Sequence, residues 1–306
     1  MKPGGAGENQ RYALLRLGLA CDADCLFCNV PVESYDAAMK LSTAQALREI
    51  DRLAAEGARR LELSGGEPAV RPDLERLVSA AREAGFHRVE LQSNGLALAA
   101  PGRAARLKEA GLTHAFISLH SHLPKAHDFL VRRGGAFDAC VQAVRGLVDA
   151  GVETILNPVV TRVQYRWLPD FMSFVGRALP GVESISLSVI QPHGRAWINH
   201  SLVPDYRILS PLVERALARA ALLGLRVNNP YCGLPLCLGG WSRRLRSCVE
   251  WCEAELGRRA VDGMKVRPPV CDACVLSSHC GGVWARYLDI HPEPGLRPVL
   301  SAELTR

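Results

Sequence analysis

Cys21, Cys25 and Cys28 form a C-x3-C-x2-C run near the N-terminus. Thiolates are soft anionic ligands that suit iron and zinc. A structural zinc site takes four protein ligands in a tetrahedron, and no fourth cysteine lies close to this run. A cubane iron–sulfur cluster has four irons, each wanting one thiolate, so three cysteines leave one iron open to a substrate or a cofactor. Asp22 and Asp24 keep the loop between the ligands hydrated and turn-prone. One strand–helix unit later stands Ser64-Gly65-Gly66-Glu67-Pro68. Read alone it is a βα turn, with glycines free to take positive φ and a proline that stiffens the chain after it.

Taken together, these two runs resemble the cluster and SAM-amine motifs of the radical S-adenosylmethionine (SAM) superfamily. The resemblance implies a [4Fe–4S] cluster on Cys21, Cys25 and Cys28, its open iron taking the amine and carboxylate of SAM. It implies that Phe27 lies beside the nucleoside, and that Glu67 with the Gly65 and Gly66 backbone holds the amine. Ser93, Asn94, Ser118 and Asn157 stand at strand ends where the superfamily contacts the ribose and carboxylate. The implied chemistry is reductive cleavage of SAM to a 5′-deoxyadenosyl radical that takes a hydrogen atom from substrate, fed by a flavodoxin- or ferredoxin-type reductant.

Seven of the eleven cysteines fall between Cys232 and Cys280. The C-x2-C-x5-C run of Cys271, Cys274 and Cys280 resembles the SPASM and twitch extensions of radical SAM enzymes that modify peptides, but Trp284 stands where a further cysteine is expected. The resemblance implies one auxiliary [4Fe–4S] cluster on Cys237, Cys271, Cys274 and Cys280. Cys232, Cys248 and Cys252 are left either spare or as holders of a second, partly open cluster, and four thiolates suit zinc equally well. Metal binding can replace the hydrophobic burial that so short and glycine-rich a region lacks. Cys140 is expected on a helix, packed as a small hydrophobe.

The elements that must carry these groups alternate between strand and helix. A strand at about 12–20 leads into the cysteine loop, and Ser42 with Gln45 is a capping box for the next helix. Strands at 60–64, 87–93, 113–119, 153–160, 183–190 and 224–228 are separated by helices from Pro72 and at 102–110, 137–150, 167–177 and 210–223. Such alternation predicts a parallel sheet covered by helices. The expected fold class is α/β, a partial (β/α)6 TIM-like barrel with a small cysteine-rich C-terminal extension. The expected divisions are a disordered stretch over 1–11, a core over 12–228 and an extension over 229–306.

One face of each strand is aliphatic, as in Leu61, Leu63, Val89, Leu91, Ala115 and Ile117, and the alternate positions are polar. Unpaired polar groups are costly to bury, so polar inward faces predict a solvated cavity at the C-terminal ends of the strands, where barrel active sites form. His120, His122 and His127 are expected on a polar loop over its mouth, as substrate contacts.

A 306-residue chain of net charge +6, 48% hydrophobic and 22% charged, reads as globular. Its basic residues are scattered apart from Arg243, Arg244 and Arg246, so nucleic-acid binding is not expected. No apolar run is long enough for a membrane span, and the opening residues lack the apolar core of a signal peptide; a cytoplasmic protein is expected. The leading expectation is a peptide-modifying radical SAM enzyme, the alternatives being action on a small metabolite and a non-catalytic iron–sulfur or zinc protein.

Overall fold

A computed structural model describes residues 11–29, 39–258 and 263–304. The stretch over 1–11 expected to be disordered therefore lies outside the described residues, apart from Arg11. Two compact units interleave along the chain, one formed by residues 11–24, 39–119 and 133–156, the other by 25–29, 120–132 and 157 onward.

The first unit is a parallel sheet of β1 (Arg11–Arg16), β2 (Ala58–Ser64), β3 (Arg88–Ser93), β4 (His114–Ile117) and β5 (Glu153–Leu156), paired in chain order. Its helices are α1 (Thr43–Ala55), α2 (Leu74–Glu83), α3 (Arg103–Glu109) and α5 (Ala136–Asp149); α4 (Pro124–Val131) belongs to the second unit. Registry sets Leu15, Leu63, Leu91, Ala115 and Thr154 in one row across the strands. All five are buried, and each fully buried leucine contributes roughly 1.5–3 kcal/mol. Ser42 caps α1 with both halves of its capping box formed. Cys140 is buried inside α5, as expected of a small hydrophobe.

The polar alternate positions bond to one another. Tyr12 donates its hydroxyl to Glu62, Arg88 pairs with Glu90, Ser64 donates to Gln92, and His114 meets Glu153 at 3.1 Å.

In the second unit β7 (Ser184–Ser186) pairs in parallel with β9 (Val227–Asn228), and β8 (Ser188–Val189) with β6 (Val159–Val160). The single strands expected over 153–160 and 183–190 are each broken in two. At the first break Pro158 has no N–H for the ladder. At the second the chain changes partner, Leu187 donating to Asn228 and Ser188 to Pro158.

The helices of this unit are α4, α6 (Leu168–Ala178), the short α7 (Arg195–Ile198) and α8 (Tyr206–Leu222). Helix α8 begins earlier than the expected 210 because Asp205 caps it, accepting from the Arg207 N–H. From residue 229 regular structure thins to α9 (Val249–Glu255), an antiparallel pair β10 (Lys265–Val266) and β11 (Val283–Trp284), α10 (Ala285–Ile290) and α11 (Ser301–Leu304). No helix among the described residues is long and apolar enough to cross a membrane.

Candidate functional site

Strand β1 ends at Arg16 rather than near residue 20, but its pairing continues in loop form. Leu17 donates to Ser64 at 2.9 Å, Gly66 to Gly18 at 2.8 Å and Glu67 to Ala20 at 2.7 Å. The chain entering Cys21 is thus laid along Gly65-Gly66-Glu67. Both glycines are dictated by this approach: a Cβ on Gly65 would come within 2.3 Å of the Gly18 carbonyl oxygen, and one on Gly66 within 2.3 Å of that of Ala20. Gly65 also has φ +137°.

Glu67 is 3% exposed. Its carboxylate accepts from the Ala69 N–H at 2.9 Å, the Ser93 hydroxyl at 2.8 Å and the Asn94 N–H at 2.6 Å. Burial pushes its pKa up to about 7, against those three donors. Glu67 therefore ties the end of β2 to the end of β3. Asn94 extends the tie, donating from Nδ2 to Asp22 at 2.7 Å, with the Cys21 sulfur 3.8 Å away. Ser118, half-buried at the end of β4, donates its N–H to the Ser93 carbonyl.

Arg71 belongs to no motif, yet it acts on this region. It is buried, pairs with Asp73 and donates to the carbonyls of Leu17 and Leu41 at 3.3 and 2.8 Å, bracing the base of the cysteine loop. Its only sequence signal is an arginine beside a proline in an apolar setting.

The second unit holds Cys25 and Cys28, joined by a turn in which Cys28 N–H donates to the Cys25 carbonyl. Phe27 meets the His120 ring edge-on at 4.9 Å. The segment expected as a polar lid loop is instead helix α4, since Pro124 is well placed in a first helical turn. His127 is wholly buried on that helix and stacks on His120 at 5.5 Å. That burial takes it away from the substrate-contact role expected for it. His122 packs beside Phe174 of α6.

The His120 Nδ1 accepts from the Val159 N–H, and the His127 Nδ1 from the His120 N–H, both at 3.2 Å. Each ring therefore carries its proton on Nε2. Burial holds both neutral, pushing His127 down to about 4 and His120 well below the usual histidine range. Gln164, also missed in the sequence, donates to the carbonyls of His120 and Val159. Asn157 accepts from the Ser188 hydroxyl at 2.5 Å, and Ser188 in turn accepts from the Cys232 thiol at 3.2 Å.

The C-terminal cysteines separate into two groups. Cys237, Cys271, Cys274 and Cys280 line one cavity of about 340 Å³, open mouth included, with Arg267 and Leu236 among its walls. Backbone N–H groups point at the sulfurs, Val299 at Cys274 (3.3 Å) and Gly282 at Cys280 (3.4 Å). Burial raises the thiols of Cys237 and Cys271 and pushes Cys280 up to about 12, so metal binding there must displace protons. Cys232, Cys248 and Cys252 are not in that lining. Cys248 and Cys252 each donate to a main-chain carbonyl at 3.5 Å, of Arg244 and Arg246.

Among the described residues no three His, Cys, Asp or Glu side chains are gathered closely enough to hold one metal ion. The four cysteines lining one cavity offer a thiolate donor set that zinc or an iron–sulfur cluster could use.

Where a further cysteine was expected, Trp284 is buried against Lys265, whose Nζ lies 4.9 Å from its ring and 4.2 Å from that of Tyr231. Lys265 is paired at 2.5 Å with Glu250, which also accepts the Gly281 N–H.

Residues 15–175 match the radical SAM superfamily. The chain is 31% identical over 237 residues to the PqqA peptide cyclase of Ruegeria pomeroyi, covering 74% of this chain and 62% of that protein. With the PqqA peptide cyclase of Granulibacter bethesdensis it shares 29% identity, over 76% of this chain and 63% of the relative. It thus spans less than two thirds of either relative's length.

Among solved structures, Streptococcus suis SuiB bound to precursor peptide SuiA superposes with a TM-score of 0.57 at 16% identity, over 71% of this chain and 48% of that one. Native anSMEcpe with bound AdoMet gives 0.60 at 15%, over 83% and 68%. These likenesses establish the α/β fold expected from the strand–helix alternation, that of a partial barrel. With more than half of its length matched, the chain belongs to the radical SAM superfamily.

Proposed function

We propose that this protein is a radical SAM enzyme that modifies a peptide, with its first [4Fe–4S] cluster on Cys21, Cys25 and Cys28 and SAM at the cluster's open iron. The observation that carries the reading is the bonding of Gly66 and Glu67 to the chain entering Cys21. One motif thereby positions the other. When bound, such a cluster supplies the electron that cleaves SAM reductively to the deoxyadenosyl radical that takes hydrogen from substrate. Glu67, Ser93 and Asn94 hold the strand ends and the loop, leaving the Gly65-Gly66 backbone as the surface offered to the SAM amine. Phe27 meets the buried His120 ring edge-on, an aromatic pair at the Cys25–Cys28 turn of the second unit.

An auxiliary [4Fe–4S] cluster on Cys237, Cys271, Cys274 and Cys280 is supported by the cavity those residues share. It belongs to an extension over 229–306 appended to a core over 12–228. A peptide substrate is supported by the PqqA peptide cyclases and by SuiB, whose structure carries its precursor peptide. A flavodoxin- or ferredoxin-type protein supplies the electron.

The test is anaerobic reconstitution, with iron and sulfide counts and an assay for 5′-deoxyadenosine under dithionite, beside a C21A/C25A/C28A variant. About eight irons in the parent and about four in the variant, with deoxyadenosine from the parent alone, are expected. Stoichiometric zinc with about four irons removes the auxiliary cluster. A fully loaded parent that leaves SAM intact with PqqA-like and SuiA-like precursor peptides supplied overturns the enzymatic reading.

A further inference from the structure

The carbonyls of the cysteine loop in the second unit are taken up by one short segment. The Arg195 N–H donates to the Cys28 carbonyl at 2.9 Å, and the Arg195 guanidinium to that of Cys25 at 3.4 Å. The Asn199 Nδ2 donates to the Leu26 carbonyl at 2.8 Å, while the Leu26 N–H is held by Leu130 at 2.9 Å. A turn at Gly194, with φ +54° and ψ −131°, brings Arg195 into place, and a side chain there would be strained. None of Gly194, Arg195 and Asn199 belongs to a motif read from the sequence.

We propose that Arg195 is a positioning residue for the cluster on Cys21, Cys25 and Cys28, fixing the loop through its main chain and favouring the reduced cluster through its charge; this rests on the presence of that cluster. A guanidinium stays protonated at every working pH. Arg195 is half-buried, so solvent and salt screen it less than a surface cation. Reduction adds one negative charge to the cluster, and a fixed positive charge beside a ligand's own carbonyl lowers the energy of that state. Asn199 makes a comparable hydrogen bond without a charge. The two residues therefore separate fixing the loop from tuning the potential.

The experiment is an EPR-monitored redox titration of the full-length, anaerobically reconstituted parent and its R195Q, R195K and N199A variants. It follows the reduced-cluster signal that changes when SAM is added, which distinguishes the first cluster from an auxiliary one. R195Q keeps the main-chain bond and loses the charge. At the parent's midpoint its reduced-to-oxidised ratio is expected to fall about tenfold, a shift of about 59 mV for one electron. R195K is expected to titrate with the parent. N199A is expected to keep the parent's potential and to lose iron to a chelator several-fold faster.

R195Q titrating with the parent, or R195K shifting as far as R195Q, overturns the proposal. Should R195Q fail to load iron, the lysine variant decides: loading and titrating as the parent supports the role of charge, and failing to load removes it. A parent with no SAM-responsive signal removes both this proposal and the cluster on which it rests; an intact parent signal with an unshifted R195Q removes this proposal alone.

Discussion

The main-chain N–H of Glu67 donates to the carbonyl of Ala20 at 2.7 Å, one residue before Cys21. The position of the first cysteine is therefore set by a βα turn more than forty residues away in sequence. Gly65 and Gly66 are glycines because main chain occupies the space a Cβ would need.

Substituting G66A should push the Leu19–Ala20 segment off the turn, at a cost on the order of 3 kcal/mol. G85A is the control: Gly85 has φ +94°, but a Cβ added there would meet nothing within 4 Å, and the change should cost about 1 kcal/mol. Urea unfolding beside the iron content of the reconstituted proteins checks this. G66A should lose stability and first-site iron together, G85A only a little stability.

Glu67 makes stability pH-dependent in a definite direction. Its folded pKa of about 7 lies above the ordinary carboxyl value of 4.5, so between those values the folded state binds more protons than the unfolded one. Stability from this group is greatest below pH 4.5, falls as pH rises and levels off above 7, by a total on the order of 3 kcal/mol. E67Q removes the titrating proton and should flatten this part of the profile, while leaving one of the three donors poorly matched at a cost of about 1–3 kcal/mol. Denaturant titrations at pH 5 and 8 on both proteins measure the difference, and an unflattened profile in E67Q would assign it to another group.

The division among the C-terminal cysteines predicts an uneven response. C237A, C271A, C274A and C280A should each lower iron by about four per chain, whereas C232A, C248A and C252A should keep the parent's iron content. Iron and sulfide analysis after anaerobic reconstitution checks this, and iron loss in C248A or C252A would enlarge the ligand set.

The Lys265–Glu250 pair, nearly closed off beneath Trp284 and Tyr231, is expected to be costly to halve. K265M or E250Q alone strands a buried charge or leaves its partner without one, and should cost about 3–5 kcal/mol. K265M/E250L should recover most of the loss, because an apolar pair in such a place is often neutral or better. Thermal unfolding of the single and double variants gives the coupling directly.

The features that could be read from the sequence were periodic or locally spaced. The row Leu15, Leu63, Leu91 and Ala115 was visible because strands alternate with period two, and the capping box of Ser42 because its partner is three residues on. The grouping of Cys271, Cys274 and Cys280 with Cys237 was read through resemblance alone; the four line one cavity. Illegible were features set by tertiary pairing. The switch of partner after Leu187 depends on which strand lies alongside, and the burial of His127 on α4 depends on helix packing that a polar run does not advertise. Arg71, Gln164, Arg195 and Asn199 act on carbonyls at least 30 residues away in most cases, and nothing in their neighbours marks them.

The braces also fix an order of events during synthesis. The strands of the first unit pair in the order in which they are made, so the sheet can grow as the chain emerges. The loop bearing Cys21, tied first by Gly66 and Glu67, gains a further tie when Asn94 has appeared; the Cys25–Cys28 segment, tied first by Leu130, gains further ones when Arg195 and Asn199 have. At roughly 5–20 residues per second, the Asn199 tie follows the synthesis of Cys28 by on the order of ten seconds or longer. The cysteine run is thereby braced in stages, its Cys21 end before its Cys25–Cys28 end.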